Sequence, residues 1–400
     1  MTTQNHGKLG SLIIMILAIV FALVGEYWAY EYVGDNLSEW YDYCDDDTCF
    51  QFSAVYRISF ATTCFFALMA MTTAAVPESH DWGWCLKSTF WFLLCVGSVF
   101  LPNDVMTSGF IWFARVGAFV FLVLQQVILI DFGYNVNDKL YSLGAEGGEE
   151  EGGCSGWFII LVSAAMILYG AALSGIVLLF VFYTGCEVND ALISVSLVCI
   201  VAFTVLQLCS DPEQGHNLLV SSIVAAYVAY LTYSSVSSNP DESCNPTYSD
   251  RDDALAITLG LSLTMLSIAT TVYFSSASIT QLLDESPASS KGPARMTADL
   301  LTNDGMAPAQ VTTSSSPRPS DQLVIHRGLA WKFNVVLVLI TMYWCMTLTN
   351  WGDSGGDSSG SSPMAGKISL WMNITASWIS IALYTWTMVA PWIFPDRDFS

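Results

Sequence analysis

A small set of polar side chains stands inside otherwise apolar stretches of this 400-residue chain: Glu26, Arg57, Arg115, the neighbouring Gln125 and Gln126, and Asp131. An ionisable group at mid-bilayer costs about 2.5 to 3.5 kcal/mol on insertion scales, so each charge needs a partner, a wet cavity or an interfacial position. Two chemistries fit. Glu26 and Arg57 fall at similar depths on consecutive, oppositely directed stretches and can form an ion pair. Arg115, in the outer third of its stretch, and Asp131, at the inner end with Gln126 just before it, can hydrate a groove along which a lipid headgroup moves, with the arginines attracting phosphate. The same residues can equally serve as salt bridges and snorkelling groups that hold helices in register. Residue type and spacing alone leave both readings open.

The elements that must carry these groups are apolar runs of roughly bilayer length. Ten are visible: 10–30, 52–76, 82–101, 108–130, 157–183, 191–208, 218–236, 254–279, 328–351 and 368–394. Lipid offers no partner to a bare amide, so each run is expected to be a helix that bonds its own backbone. The fold class is therefore all-α, a polytopic membrane bundle of about ten helices. Short connections such as 102–107 and 184–190 make consecutive helices antiparallel neighbours. Small residues at helical spacing, such as Gly170 with Ser174 and Gly260 with Ser262, would permit ordinary close helix contact.

Composition agrees. Only 12% of residues are charged and 53% are hydrophobic, against about 25% charged in a soluble domain, which excludes a large aqueous domain. The net charge of -22 gathers in loops, read as hydrated acidic surface, and nucleic acid is not an expected partner. There is no P-loop, no paired zinc-binding histidines, no nucleophile elbow and no Asp-rich metal motif. The chain is accordingly expected to move, bind or organise something in the bilayer, not to be an enzyme, and to need no cofactor or metal.

Lys8 precedes the first run, which is too long for a signal h-region and lacks a small-residue cleavage pattern, so it reads as an uncleaved span starting in the cytosol. With alternating spans, Lys139, Lys291, Arg295, Arg318, Arg327, Lys332 and Arg397 are cytosolic, Lys87 sits at a cytosolic helix end, and only Arg251 and Lys367 fall in outer loops. That bias follows the positive-inside rule and puts both termini in the cytosol. The sequence does not choose between plasma membrane and endomembranes (ER or Golgi). Cys44, Cys49, Cys186 and Cys244 then face the oxidising side as disulfide candidates; they allow three pairings, of which Cys44 with Cys49 and Cys186 with Cys244 is preferred. Asn36-Leu37-Ser38 is a candidate glycosylation sequon in the first outer loop, close to the helix end.

The organisation along the chain is a short cytosolic terminus (1–9), eight spans (10–279), a Ser, Pro and Ala-rich loop expected to be disordered (280–327), two further spans (328–394) and a cytosolic tail (395–400). The acidic, glycine-rich stretch 144–153 reads as a second flexible cytosolic connection.

Several short motifs occur in one order along the chain. They are Arg57-Ile58-Ser59-Phe60, Trp91-Phe92 leading to Pro102, Gln126 with Leu129-Ile130-Asp131-Phe132, and Tyr230-Leu231-Thr232. Ser238-Asn239-Pro240, Cys244-Asn245-Pro246, Met346-Thr347-Leu348-Thr349-Asn350-Trp351, Val389-Ala390-Pro391 and Arg397-Asp398-Phe399-Ser400 follow. Together they resemble the serine incorporator family over almost all of residues 10–400. The resemblance implies ten spans in two helical subdomains bridged by a long oblique helix. It also implies promotion of serine incorporation into phosphatidylserine and sphingolipids, non-vectorial phospholipid scrambling and, for some members, reduced infectivity of enveloped viruses. Against the resemblance, the chain is expected to lack the cysteine-rich amino-terminal segment common in the family, and the loop 77–81, with Glu78 and Asp81, is less basic than the resemblance leads one to expect. Membrane phospholipids are the expected partners, with lipid-synthesis enzymes as further ones; the oligomeric state is not encoded legibly. The leading expectation is a polar path for phospholipids across the bilayer. The alternatives are a secondary transporter of serine or another small polar solute, and a scaffold for lipid-synthesis enzymes.

Overall fold

The computed structural model describes residues 6–29, 47–102, 105–151, 156–209, 218–241, 243–246, 319–352 and 363–393. Among these residues the regular structure is helical. The helices are α1 (His6–Val24), α2 (Asp47–Ala75), α3 (Trp84–Val99), α4 (Ile111–Glu151), α5 (Gly156–Phe182), α6 (Glu187–Cys209), α7 (Leu218–Val236), α8 (Pro319–Leu348) and α9 (Pro363–Ile393). A π-helical turn, Gly25–Ala29, continues α1, another, Val105–Phe110, leads into α4, and a single 3-10 turn, Pro77–His80, joins α2 to α3.

Prolines and glycines set several boundaries. Pro77 follows the last residues of α2, where its ring disfavours helical backbone at the position before it. Gly83 takes φ +76 immediately ahead of α3, a left-handed conformation that suits glycine. Pro319 and Pro363 open α8 and α9, the position where a missing N–H costs nothing.

Among the described residues, seven segments are long and apolar enough to cross a membrane: Gly7–Trp28, Gln51–Ala75, Ile111–Gly144, Gly156–Phe182, Glu187–Cys209, Leu218–Val236 and Ala330–Leu348. The protein is thus a polytopic helical membrane bundle. The third expected span appears as the shorter α3, of 16 residues. The tenth is α9, long at 31 residues but interrupted by Ser369, Asn373, Ser377 and Ser380, all of them buried. The eighth expected span, 254–279, lies outside the described residues. Large apolar side chains stand exposed along α5 (Ile159, Met166, Ile167, Val181) and α6 (Val198, Val205, Leu208), the surface a lipid environment would cover.

Three expectations need correction. The glycine-rich stretch from 144, read as flexible, is helical as far as Glu151, because α4 runs on for 41 residues. Its end is supported by α5: Tyr141 stacks edge-on with Phe158 at 5.5 Å, and Gly144 lies so near the Phe158 ring that an added Cβ would come within 3.0 Å of it. Tertiary contact outweighs the roughly 1 kcal/mol that glycine costs inside a helix. Secondly, α8 begins at Pro319, inside the segment 280–327 expected to be disordered; the rest of that segment that precedes Pro319 lies outside the described residues. Thirdly, Gly170 meets no neighbour within 4 Å, so the Gly170 and Ser174 pair makes no close helix contact on the glycine side.

Two large apolar clusters form most of the core, with a small third one of Leu192, Leu370 and Ile374. The first joins α1, α2, the start of α4 and α8 through Met15, Phe65, Phe66, Phe121, Leu122 and Trp344. The second joins α5, α6, α7 and α9 through Ile176, Ile193, Phe203, Val224 and Tyr384. Helix α4 supplies both, giving Phe121, Leu122 and Leu129 to the first and Ile130 to the second. Between Leu122 and Ile130 stand the two glutamines.

Candidate functional site

Two buried arginines among the described residues hold helix ends. Arg57, on α2, donates through Nη1 to Ser53 Oγ one turn away and through Nη2 to the Leu101 carbonyl, 3.1 Å, just beyond the end of α3. Arg115, on the first turns of α4, donates from Nε to the Trp351 carbonyl at 3.0 Å and from Nη2 to the Gly352 carbonyl at 3.3 Å. These carbonyls follow the end of α8, where Asn350, Trp351 and Gly352 take φ values of 45, 60 and 96. Three consecutive left-handed residues curl the chain back over the helix end, and a cation there complements the negative end of the helix dipole. The guanidinium also lies 4.8 Å from the Trp112 ring centroid. Glu26, in the π-helical turn after α1, is likewise buried, in an element packed on α2.

Past these helix ends is a polar knot. Cys186 and Cys244 form a disulfide with Cα atoms 5.6 Å apart. Asn189, in the first turn of α6, donates through Nδ2 to the carbonyls of Tyr183 and Cys244 at 3.2 and 3.1 Å and accepts through Oδ1 from Asn239 at 2.9 Å. Asn239 in turn accepts from the Asp241 amide. Asn245 donates to the carbonyls of Ser237 and Asn239. Ser369 of α9 donates to Ser238 Oγ at 2.7 Å. Carboxamides suit this place because each offers donors and an acceptor to loop backbone that no helix satisfies. Asn189 escaped the sequence reading; its only signal is an asparagine three residues after a loop cysteine. Cys44 and Asn36 lie outside the described residues, as does the side chain of Cys49, so their pairing and glycosylation are not addressed by the structure.

The middle of α4 is different. Gln125 and Gln126 are 1% and 0% exposed, and the amide nitrogen and oxygen of both side chains have no hydrogen-bond partner. Gln126 shares a face with Leu122, whose carbonyl accepts from Tyr227 of α7 at 3.3 Å, and with Gly133, which abuts Val220 and Ile223 of the same helix. Gln125 follows Gly117 and Phe121, which meet Met342 and Tyr343 of α8. Successive residues on a helix diverge by about 100°, so the pair spans the adjoining faces on which α7 and α8 both pack against α4. Asp131 follows, half-buried, its carbonyl accepting from Asn135 at 2.8 Å, and then comes the buried Asn137.

An apolar cavity of about 540 Å³ opens between α5 and α7, lined by Ala171, Gly175, Leu179, Ala226, Ala229 and Tyr233 among others. Small residues on both helices create the furrow, which has the chemistry of a hydrocarbon site.

At the end of the bundle away from the disulfide, His80 is buried between Trp84 and Phe333. Lys87 Nζ donates to the carbonyls of Ser79 and His80. Burial holds the imidazole neutral and pushes its pKa down to about 4, with Lys87 and Lys8 adding to the depression and Asp81 opposing it. No cluster of His, Cys, Asp or Glu able to hold a metal ion occurs among the described residues.

The family model "Serine incorporator (Serinc)" matches residues 2–397. The chain is similar to "Probable serine incorporator" of Nematostella vectensis, at 29% identity over 380 residues, covering 88% of this chain and 82% of that protein. It is similar to "Serine incorporator 2" of Mus musculus, at 28% over 372 residues, 87% of this chain and 79% of the relative. "Serine incorporator 3" of Bos taurus is 28% identical over 391 residues, 88% of this chain and 81% of that protein.

Proposed function

Because this chain belongs to the serine incorporator family, we propose that it handles phospholipids, phosphatidylserine among them, by offering headgroups a polar route across the bilayer without a preferred direction. The observation that carries this reading is the polar stretch in the middle of one membrane helix: Gln125 and Gln126, buried with unbonded side-chain amides, are followed on α4 by Asp131 and the buried Asn137. Polar groups inside a span are costly and mark pathways when they are not consumed by structure. The acyl chains stay in hydrocarbon, for which the furrow between α5 and α7 is suited. No covalent step is involved, so the activity is not enzymatic. Access of serine-derived headgroups to the leaflet where they are made or used would then support phosphatidylserine and sphingolipid formation. Both termini are taken to be cytosolic, with the disulfide outside.

The test is purified protein in liposomes of phosphatidylcholine carrying a fluorescent phospholipid, with a membrane-impermeant quencher added outside. Loss of the inner-leaflet signal faster than in empty liposomes is expected. An intact, monodisperse preparation that matches empty liposomes would remove the reading.

A further inference from the structure

Along α4, Arg115 and Asn137 are 22 residues apart, which at 1.5 Å per residue is about 33 Å, close to the thickness of a bilayer's hydrocarbon core. Gln126 lies at the midpoint. A side-chain amide taken from water into an apolar setting without a partner costs roughly 2 to 7 kcal/mol, and here two consecutive residues present unbonded amides at full burial. Lipid supplies no hydrogen bonds to relieve that cost.

The surroundings indicate what relieves it. The Tyr227 hydroxyl donates to the Leu122 carbonyl, one helical turn before Gln126, and helical side chains lean back over the preceding turn, so a phenol oxygen with acceptor capacity stands on the turn toward which the Gln126 side chain leans. The nearest charges along the same helix are Arg115, ten residues (about 15 Å) to one side and occupied by the carbonyls after α8, and Asp131, five residues (about 7.5 Å) to the other. A site of two carboxamides and a phenol, with its cation distant and engaged, binds through hydrogen bonds given and accepted and fixes no charge, which suits water. A buried water needs two to four such partners.

We propose that Gln125 and Gln126, with the Tyr227 hydroxyl, form an internal hydrated site at the centre of the bundle, occupied by water at rest and exchanging hydrogen bonds with a lipid headgroup in transit. The hydration stands on the geometry alone, whereas the role in transit rests on the lipid-path reading above.

Two measurements separate these. X-ray radiolysis generates hydroxyl radicals from bound water inside the protein. In proteoliposomes, oxidation of the peptide containing Tyr227 is expected to be at least fivefold faster in the native chain than in the double variant Gln125→Leu/Gln126→Leu. Tyr384, buried and bonded to Gln207, serves as the reference and changes little. Equal Tyr227 oxidation in both proteins overturns the hydrated site. In the quencher assay the same variant is expected to slow headgroup exchange at least tenfold. If the variant loses Tyr227 oxidation and keeps native exchange, the site is wet but off the path, and the transit role is overturned. If the native chain itself exchanges no lipid, the reading of function fails while radiolysis still decides the hydration. The unbranched variant Gln125→Met/Gln126→Met repeats both measurements should the leucine variant misfold.

Discussion

Asn189 and Gln126 carry the same carboxamide and are equally buried, each with 0% exposure, yet they differ in every other respect. Asn189 makes three hydrogen bonds, to Tyr183, Cys244 and Asn239, and ties the end of α5, the start of α6 and the segment after α7 together beside a disulfide. Gln126 and its neighbour make none with their side chains. A buried amide that is fully bonded contributes to holding the fold, while one left bare costs stability and is retained for another reason. Burial alone therefore does not distinguish these two carboxamides, and hydrogen-bond satisfaction does. The arginines fall on the structural side by the same criterion, since Arg57 and Arg115 both reach carbonyls beyond the ends of other helices.

The contrast can be tested hardest at the knot. Replacing Cys186 and Cys244 by serine opens a bridge spanning 58 residues of chain, for which chain entropy gives a loss of about 4 kcal/mol, an upper figure if the unfolded state keeps its helices. Thermal unfolding in detergent measures it. Asn189→Leu comes next, at about 3 kcal/mol, because the Tyr183 and Cys244 carbonyls and the Asn239 amide all lose their partner. A variant as stable as the native chain would end the distinction between the two carboxamides.

Gly352→Ala probes the arginine cap with an expected loss of about 2 to 3 kcal/mol. The position has φ +96, and an added Cβ would lie 2.7 Å from Arg115 Nη2, so the substitution both strains the backbone and displaces the guanidinium. Arg115→Lys should be milder than Arg115→Leu, since an ammonium can still reach one carbonyl but not two in the same plane.

His80 is an intermediate case: its Nδ1 lacks a partner, as the glutamines do, but its ring is packed against aromatic neighbours outside the membrane spans. Its folded pKa of about 4 lies below the ordinary 6.5. Between those values the unfolded chain binds the proton and the folded one does not, so stability rises with pH across this window and is lost as pH falls from 6.5 toward 4. The loss at pH 5 is about 2 kcal/mol relative to pH 7.5. Melting temperatures at the two pH values should converge in His80→Leu; an unchanged gap would assign the pH dependence to other groups.

Much of the frame was legible because lipid simplifies the rules. The run 218–236 coincides with α7 (Leu218–Val236), and the preferred pairing of Cys186 with Cys244 is present, since a topology of alternating spans puts those loops on one side. What escaped depended on contacts between distant segments. The glycines and glutamates after 144 carry the local signature of a break, and only the packing of Tyr141 and Gly144 on Phe158 explains the continued helix. The sequence placed Arg57 and Arg115 in the spans without revealing that backbone carbonyls occupy them, because those carbonyls come from the ends of α3 and α8. Gln125 and Gln126 were visible as polar letters, but the absence of bonds to them is a property of the packed bundle.

The smallest expected change in stability is the most telling. Gln125→Leu/Gln126→Leu replaces two unbonded amides by apolar groups of similar volume at the junction of the two apolar clusters. If the amides are merely tolerated by the fold, their removal relieves a desolvation cost, and melting temperature should stay level or rise. Water bound at the site in the native chain recovers part of that cost, which limits the gain to about 1 kcal/mol and leaves the variant within a few degrees of the native protein. Asn189→Leu makes the same chemical substitution at equal burial and should fall by several times that amount. A steep loss of stability in the glutamine variant would mean that the pair is bonded within the folded protein in the membrane, and the two regions would then differ in position only. A level melting curve combined with slowed headgroup exchange would separate what holds this bundle together from what it does.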